Sequence, residues 1–441
     1  MNVLKGTEWR EFAPALIIVA NSLIWYTLLF SSFTNLLNNQ SYFTTVLLYG
    51  SFFVAIAASA LFGGWLFPRA RKLGLYLWIL FGTIMSIPLG TVPSNGLFVN
   101  LIIFILLGAS AGIGLPSALA FFANSTRIAK RGMLGGIIWG MIGLGVLSLG
   151  YIITLFGPSE PTLVSGLLAI WRFLGLGFFL ALPKVKQEPA KTKTIEKYKR
   201  ILVRRDVVLY FVPWIMFSLV NFVESPITKV VLGDFYTLAT LLTFAISGIV
   251  AIIGGTLADR IGRKRVVITG FIFYGVEYAI LSLFYSNPIS WYIYICFDGT
   301  AWGMFAAVFF MSLWGDLSEG FAREKYYVIG GLPYLLAGFL PILIGPLAEN
   351  IGASYATSAF SIASFFLFIA VLPLIYAPET LPEKTMKDRD LSSYVEKAKK
   401  YAEKQGAKRQ DNTDYQNKDI QGEIQVSTEE RKARELAEKF Y

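Results

Sequence analysis

A helix needs roughly 20 consecutive apolar residues to cross the hydrocarbon core of a bilayer. This chain carries twelve such runs between residues 12 and 376. In hydrocarbon every backbone N–H and C=O must find its partner within the segment, so runs of this length fold as helices. Of the 441 residues, 55% are apolar and 15% charged, whereas an average soluble domain has about 25% charged residues. The first run begins near Phe12. It is longer than the roughly 7–15 apolar residues of a cleavable signal segment, so it is expected to stay as the first anchor.

Charge placement sets the expected topology. The even-numbered connections hold Arg69, Arg71 and Lys72, then Arg127, Lys130 and Arg131, then Arg260, Arg263, Lys264 and Arg265, then Arg323 and Lys325. Of 39 Lys and Arg residues, the odd-numbered connections hold one, Lys229. Basic loops stay on the cytoplasmic side, so both termini are expected there, in the plasma membrane. The net charge of +10 is then a topology signal and not a nucleic-acid footprint.

A polar stretch at 184–206 divides the runs six and six. The expected organisation is a first bundle at 1–183, a cytoplasmic linker at 184–206, a second bundle at 207–384 and a soluble tail at 385–441. A shift of 191 residues superposes Gly64 on Gly255, Arg69 on Arg260, Gly108 on Gly299 and Gly112 on Gly303. Such a repeat suits a carrier whose site lies between two related halves. In the tail, Ser427 and Glu430 have the spacing of a helix capping box.

Several chemistries are excluded. The chain has no histidine and one cysteine, Cys296, so His-based triads, zinc motifs and an intrachain disulfide are ruled out. No GxxxxGK[ST] loop cradles a nucleotide. No catalytic constellation, metal site or cofactor is expected, and any proton coupling must use carboxylates.

The connection after the eighth run reads Gly255-Thr-Leu-Ala-Asp259-Arg260-Ile-Gly262-Arg263-Lys264-Arg265. Gly255, one turn before Asp259, allows a neighbouring helix to come close. Asp259 ends a helix, where it can meet the positive N-terminus of another helix and an arginine. Gly262 permits the reversal between two spans. This loop resembles the signature of the major facilitator superfamily, G-x-x-x-D-R-x-G-R-[RK]. The resemblance implies an all-α membrane protein of twelve helices in two pseudo-symmetric six-helix bundles, with Gly255, Asp259, Arg260, Gly262, Arg263 and Lys264 latching them on the cytoplasmic side. The first-half copy, Gly64-Trp-Leu-Phe-Pro68-Arg69-Ala-Arg71-Lys72, has lost its acid, so the latch is expected to act mainly from the second half.

Asp316-x6-Arg323, with Glu319 beside it, resembles an acidic-x6-Arg pair of the same superfamily, including its sugar porters, and implies a cytoplasmic salt bridge. Pro378-Glu379-Thr380 resembles the PET step that follows span twelve there. The Arg of proton-coupled members in span four, the Gly-Pro step of drug antiporters in span five and the QLS element of sugar porters in span seven are absent.

Polar residues inside spans are costly and so point to sites. The resemblance implies that spans one, four, seven and ten line a central cavity. Asp298 in span ten is the leading candidate, holding a proton or a cationic group of the solute; a structural acid bonded to a neighbouring helix is the alternative. Glu224 and Asn221 near the outer end of span seven come next, with an extracellular-loop carboxylate the plainer reading of Glu224. Asn21 and Trp25, Asn100 and Trp214 are further lining candidates, with helix–helix contacts as their alternative. Arg172 and Glu277 read as structural, with no partner assigned. The function expected is transport of a small organic solute, with or without protons, by a monomeric carrier in the lipid bilayer. An efflux carrier for lipophilic compounds and a non-transporting receptor on the same fold are the alternatives, and an enzyme is not expected.

Overall fold

Residues 6–37, 40–69, 71–156, 160–182, 196–318, 321–351, 355–382, 387, 428, 430–432 and 434–435 are described by the computed structural model. Among them are twelve helices long and apolar enough to cross a membrane. Spans 1 to 6 are Trp9–Leu36, Tyr42–Leu66, Arg71–Ser94, Leu97–Asn124, Ile128–Ile153 and Pro161–Ala181. Spans 7 to 12 are Arg205–Leu232, Phe235–Ile261, Arg263–Phe284, Pro288–Leu317, Glu324–Asn350 and Ala356–Tyr376. Side chains such as Val54, Phe98, Leu144, Ile170, Ile249, Leu283 and Phe365 are exposed on the outside of the bundle, where lipid replaces water as solvent. The chain is a multi-pass membrane protein of two pseudo-symmetric six-helix bundles.

Two of the three repeated glycine pairs have one physical role in both halves. A Cβ on Gly108 or Gly112 would lie 2.3 Å from the carbonyl oxygens of Phe52 and Ile56, so span 4 packs backbone to backbone on span 2. A Cβ on Gly299 or Gly303 would lie 3.0 and 2.7 Å from the carbonyl oxygens of Thr243 and Ser247, which sets span 10 on span 8 in the same way. Spans 5 and 8 come equally close at one end. There a Cβ on Gly255 would be 2.1 Å from the Gly132 carbonyl oxygen. Further along, a Cβ on Gly143 would be 3.7 Å from the Phe244 carbonyl oxygen, so the two helices diverge away from the signature loop.

Three helices are irregular at matching depth. Span 4 pauses between Gly112 and Leu115, ahead of Pro116. Span 10 widens into a π-helical stretch at Ala306–Ser312. Span 11 breaks between Ala337 and Leu340. Non-helical backbone is tolerated at membrane depth only inside protein or beside a cavity, and Leu115, Phe310 and Gly338 all line one. Span 7 runs to Leu232, which corrects the loop reading of Glu224: it is helical and buried.

The chain up to Leu381 forms one compact unit and Pro382–Tyr441 another. In the second, Thr428, Glu430–Lys432, Arg434 and Glu435 are helical, and Arg431 pairs with Glu435 at 3.9 Å on an exposed face. Ser427 lies outside the described residues.

Candidate functional site

The signature loop makes a buried charge network. The Asp259 carboxylate accepts the backbone N–H groups of Gly132 (2.9 Å) and Met133 (2.8 Å) in the first turns of span 5, and a guanidinium N–H of Arg263. An acid at a helix N-terminus satisfies unpaired N–H groups and the positive end of the helix dipole together. Arg263 also donates to Asp316 at 3.0 Å and to the Ile128 carbonyl at 2.9 Å. Asp316 pairs in turn with Arg131 of the first half. All four side chains are buried. Gly262 has φ 104°, in the region where a side chain is disfavoured, and a Cβ there would strike the Glu379 carboxylate at 2.3 Å. Glu379 accepts from the backbone N–H of Arg263 (2.8 Å) and of Lys264 (3.2 Å), capping span 9. Lys264 donates to the Ile375 carbonyl, and Arg260 is exposed.

The Asp316–Arg323 pairing expected from sequence is not the one formed. Both Asp316 oxygens are occupied by Arg131 and Arg263. Arg323 instead donates to the Ala123 carbonyl at the C-terminal end of span 4, which also accepts from Arg131 at 2.8 Å. Burial, with Arg131 nearby, pushes the Arg323 guanidinium down to about 10. Glu319 lies outside the described residues. On the eroded side, Arg71 pairs with Glu324 of the second half. The short helix Tyr198–Val203 sits at this junction, where Tyr198 donates to the Leu61 carbonyl and Lys325 lies over its ring at 4.9 Å. Among the described residues, the ion pairs that join the two halves, Arg131–Asp316 and Arg71–Glu324, are both at this end of the bundle.

Deeper in lies a cavity of about 460 Å³ lined by both halves. Spans 1, 4 and 5 contribute Tyr26, Thr27, Phe30, Leu115, Leu119 and Trp139; spans 7 and 8 contribute Asn221, Phe222, Ser225, Thr228, Tyr236, Thr240, Thr243 and Ser247. Spans 9, 10 and 11 contribute Tyr278, Tyr294, Asp298, Trp302, Phe310 and Tyr334. Trp139 stacks on Phe310 across the halves at 5.3 Å. Asp298 is the one carboxylate on the lining, and no Lys or Arg is present there.

Of the residues singled out from sequence, the structure brings Asp298 and Asn221 to this cavity. The others are not among its lining residues. Asn21 donates to the Trp171 carbonyl at 2.7 Å and accepts from Arg172 at 3.1 Å. Trp25 donates to Ser86 at 2.8 Å. The Arg172 guanidinium lies over the rings of Trp25 (5.0 Å) and Trp78 (4.3 Å) and donates to Ser22. Asn21 and Trp25 therefore hold a buried cation that ties spans 1, 3 and 6. Asn100 donates to the Val92 carbonyl at 3.0 Å. Trp214 donates to the Gly330 carbonyl and stacks on Phe309 at 4.5 Å, behind the wall that Tyr334 and Phe310 present. Glu224 is buried one turn from the lining residue Thr228. Sequence reading missed Tyr278, Tyr294, Trp302 and Tyr334, because an aromatic in an apolar run reads as core.

No protein-family model and no curated protein sequence matches the chain. Solved structures do match. A proton:xylose symporter of the major facilitator superfamily, XylE, bound to 6-bromo-6-deoxy-D-glucose, is similar over 84% of this chain and 96% of its own, with a TM-score of 0.66 and 17% identity. The E. coli fucose:proton symporter FucP is similar over 86% of this chain and 100% of its own, with a TM-score of 0.61 and 12% identity. The chain has the major facilitator fold.

Proposed function

We propose that this protein is a secondary transporter that moves a small organic solute through its central cavity by alternating access, one six-helix bundle rocking against the other. The observation that carries this reading is an asymmetry along the bundle axis. A cavity shared by both halves is closed at one end by ion pairs between those halves, and the glycine-packed pair of spans 5 and 8 diverges towards the other end. A carrier needs contacts that seal one side of its site and can be exchanged for contacts on the other.

The signature-loop end is proposed to face the cytoplasm, with bundles at 1–183 and 207–384, a linker at 184–206 and a tail at 385–441. Gly255, Asp259, Gly262, Arg263, Asp316 and Arg131 act as the latch, and Asp298 and Asn221 contact the solute. The solute comes from a thermal-shift screen of purified protein against sugars, organic acids, amino acids and organic cations, since a ligand stabilises the folded state by mass action. Counterflow of that ligand in proteoliposomes is the decisive measurement. A carrier accelerates labelled uptake when loaded with unlabelled ligand, a channel does not, and a receptor binds ligand while moving none. Collapsing the proton gradient with a protonophore separates proton-driven accumulation from facilitated diffusion.

A further inference from the structure

We infer that the central cavity takes an organic cation, seated with its charged group at Asp298 against aromatic rings, and not a carbohydrate. The inference rests on the cavity being the solute site.

Three observations converge on it. The first is charge. Asp298 is buried on the cavity wall, and the lining holds no Lys or Arg to balance it. Glu277 lies close behind Asp298, fully buried, with neither carboxylate oxygen hydrogen-bonded. The buried cation of the first half, Arg172, is enclosed by Asn21, Ser22, Trp25 and Trp78. An acid at membrane depth without a protein counter-ion is a site for a mobile cation.

The second is the surface around that acid. Tyr294 lies next to the Asp298 carboxylate, and Tyr278, Trp302 and Tyr334 share the lining. Ring faces attract alkylammonium groups, most strongly where water is excluded. A volume of about 460 Å³ falls in the usual range for a small organic ligand.

The third is how the lining hydroxyls are used. Ser31, Thr240 and Ser247 donate to carbonyls of their own helices at 2.8, 2.9 and 2.9 Å. Ser225 and Tyr236 bond each other at 3.0 Å, and the Asn221 carbonyl oxygen accepts from Tyr274 at 3.0 Å. A sugar buries many hydroxyls, each requiring a partner. Lining groups bonded in this way have fewer bonds left to offer a sugar, and the unpartnered Thr228 hydroxyl is itself enclosed, at 1% exposure.

The test measures binding of benzyltrimethylammonium, D-xylose and L-fucose to the purified full chain. Saturable binding is expected for the ammonium ion and none for the sugars at equal concentration. Asp298→Asn is expected to weaken the ammonium ion by about 30-fold or more, and Trp302→Leu by about 3- to 30-fold. Sugar binding that displaces the ammonium ion, or an unchanged affinity in Asp298→Asn, overturns the inference. Should Asp298→Asn misfold, the wild-type chain decides: choline is expected to bind tighter than its neutral isostere 3,3-dimethylbutan-1-ol, and equal binding overturns the inference. Counterflow then separates the two readings. Ammonium binding without ammonium counterflow supports the cation site and overturns transport. Sugar counterflow without ammonium binding supports transport and overturns the cation site.

Discussion

The two junctions between the halves at the signature-loop end began as copies of one sequence and close by different chemistry. At the junction of spans 5, 8 and 10, Asp259 caps a helix N-terminus of the other half, and Arg263 links it to Asp316 and thence to Arg131. At the junction of spans 2, 4 and 11, Pro68 occupies the acid's place, and no carboxylate of that loop can cap span 11. Closure there runs in the opposite sense: Arg71 reaches Glu324 in the first turn of span 11, and the linker helix packs alongside through Tyr198. The eroded copy therefore still joins the halves by an ion pair, beside a sequence expectation of a latch acting mainly from the second half. Both junctions carry a cross-half ion pair, and only one of them carries the full motif.

The comparison is easiest to break at Asp316, a carboxylate shared by two buried guanidinium groups. Asp316→Asn leaves Arg131 and Arg263 partly unpaired. Removing one member of a buried ion network typically costs about 3–5 kcal/mol. The closed end should open, read as faster labelling by an impermeant maleimide from the loop side. The reporter is Leu119→Cys on the cavity lining, in a Cys296→Ser background. A labelling rate within twofold of the parent would show that the network does not hold the end shut.

Asp259→Asn should come next, at about 1.5–3 kcal/mol for lost charge-assisted hydrogen bonds. Arg263 keeps Asp316, and the Asn amide oxygen can still accept one backbone N–H of span 5. The same labelling assay should rank it below Asp316→Asn. The reverse order would mean that helix capping, not the ion pair, dominates closure.

The contrast between these junctions also marks what a single sequence discloses. The spans were legible because a bilayer imposes one length and one backbone solution. Asp259 was legible because a helix-terminal acid followed by Gly262 and Arg263 has few alternative uses. The partner of Asp316 was not, because Arg131 lies 185 positions away and sequence spacing favoured the nearer Arg323. Nor was the lining. Trp25 and Trp302 look alike in an apolar run; one bonds Ser86 inside the first bundle, the other faces the cavity. Helical phase alone does not say which face meets the other half.

Glu324→Gln tests the eroded junction and should be smaller. Arg71 retains 11% side-chain exposure, so its guanidinium can turn to water when the carboxylate charge is removed, and the Gln amide can still accept one bond. About 1–2 kcal/mol is expected, with labelling raised a few-fold. An effect equal to that of Asp316→Asn would make the two junctions equivalent and remove the distinction between a carboxylate shared by two arginines and one paired with a single arginine.

The smallest effect should come from Arg323, and its sign should be opposite. Its guanidinium is largely buried with Nε unbonded, it meets a backbone carbonyl and not a carboxylate, and Arg131 stands nearby with like charge. Burial lowers its value from the usual guanidinium range to about 10. A base depressed in the folded state weighs against that state while it is charged. The burden is complete below pH 10 and fades as pH rises from about 10 towards the unfolded value. Near neutrality Arg323→Gln removes the burden and one hydrogen bond to the Ala123 carbonyl, which Arg131 still satisfies. Labelling at Leu119→Cys should be unchanged or slower, corresponding to a gain of at most about 1 kcal/mol for the closed end. Faster labelling would show that Arg323 belongs to the closure, and would restore to Asp316-x6-Arg323 the role that its geometry denies it.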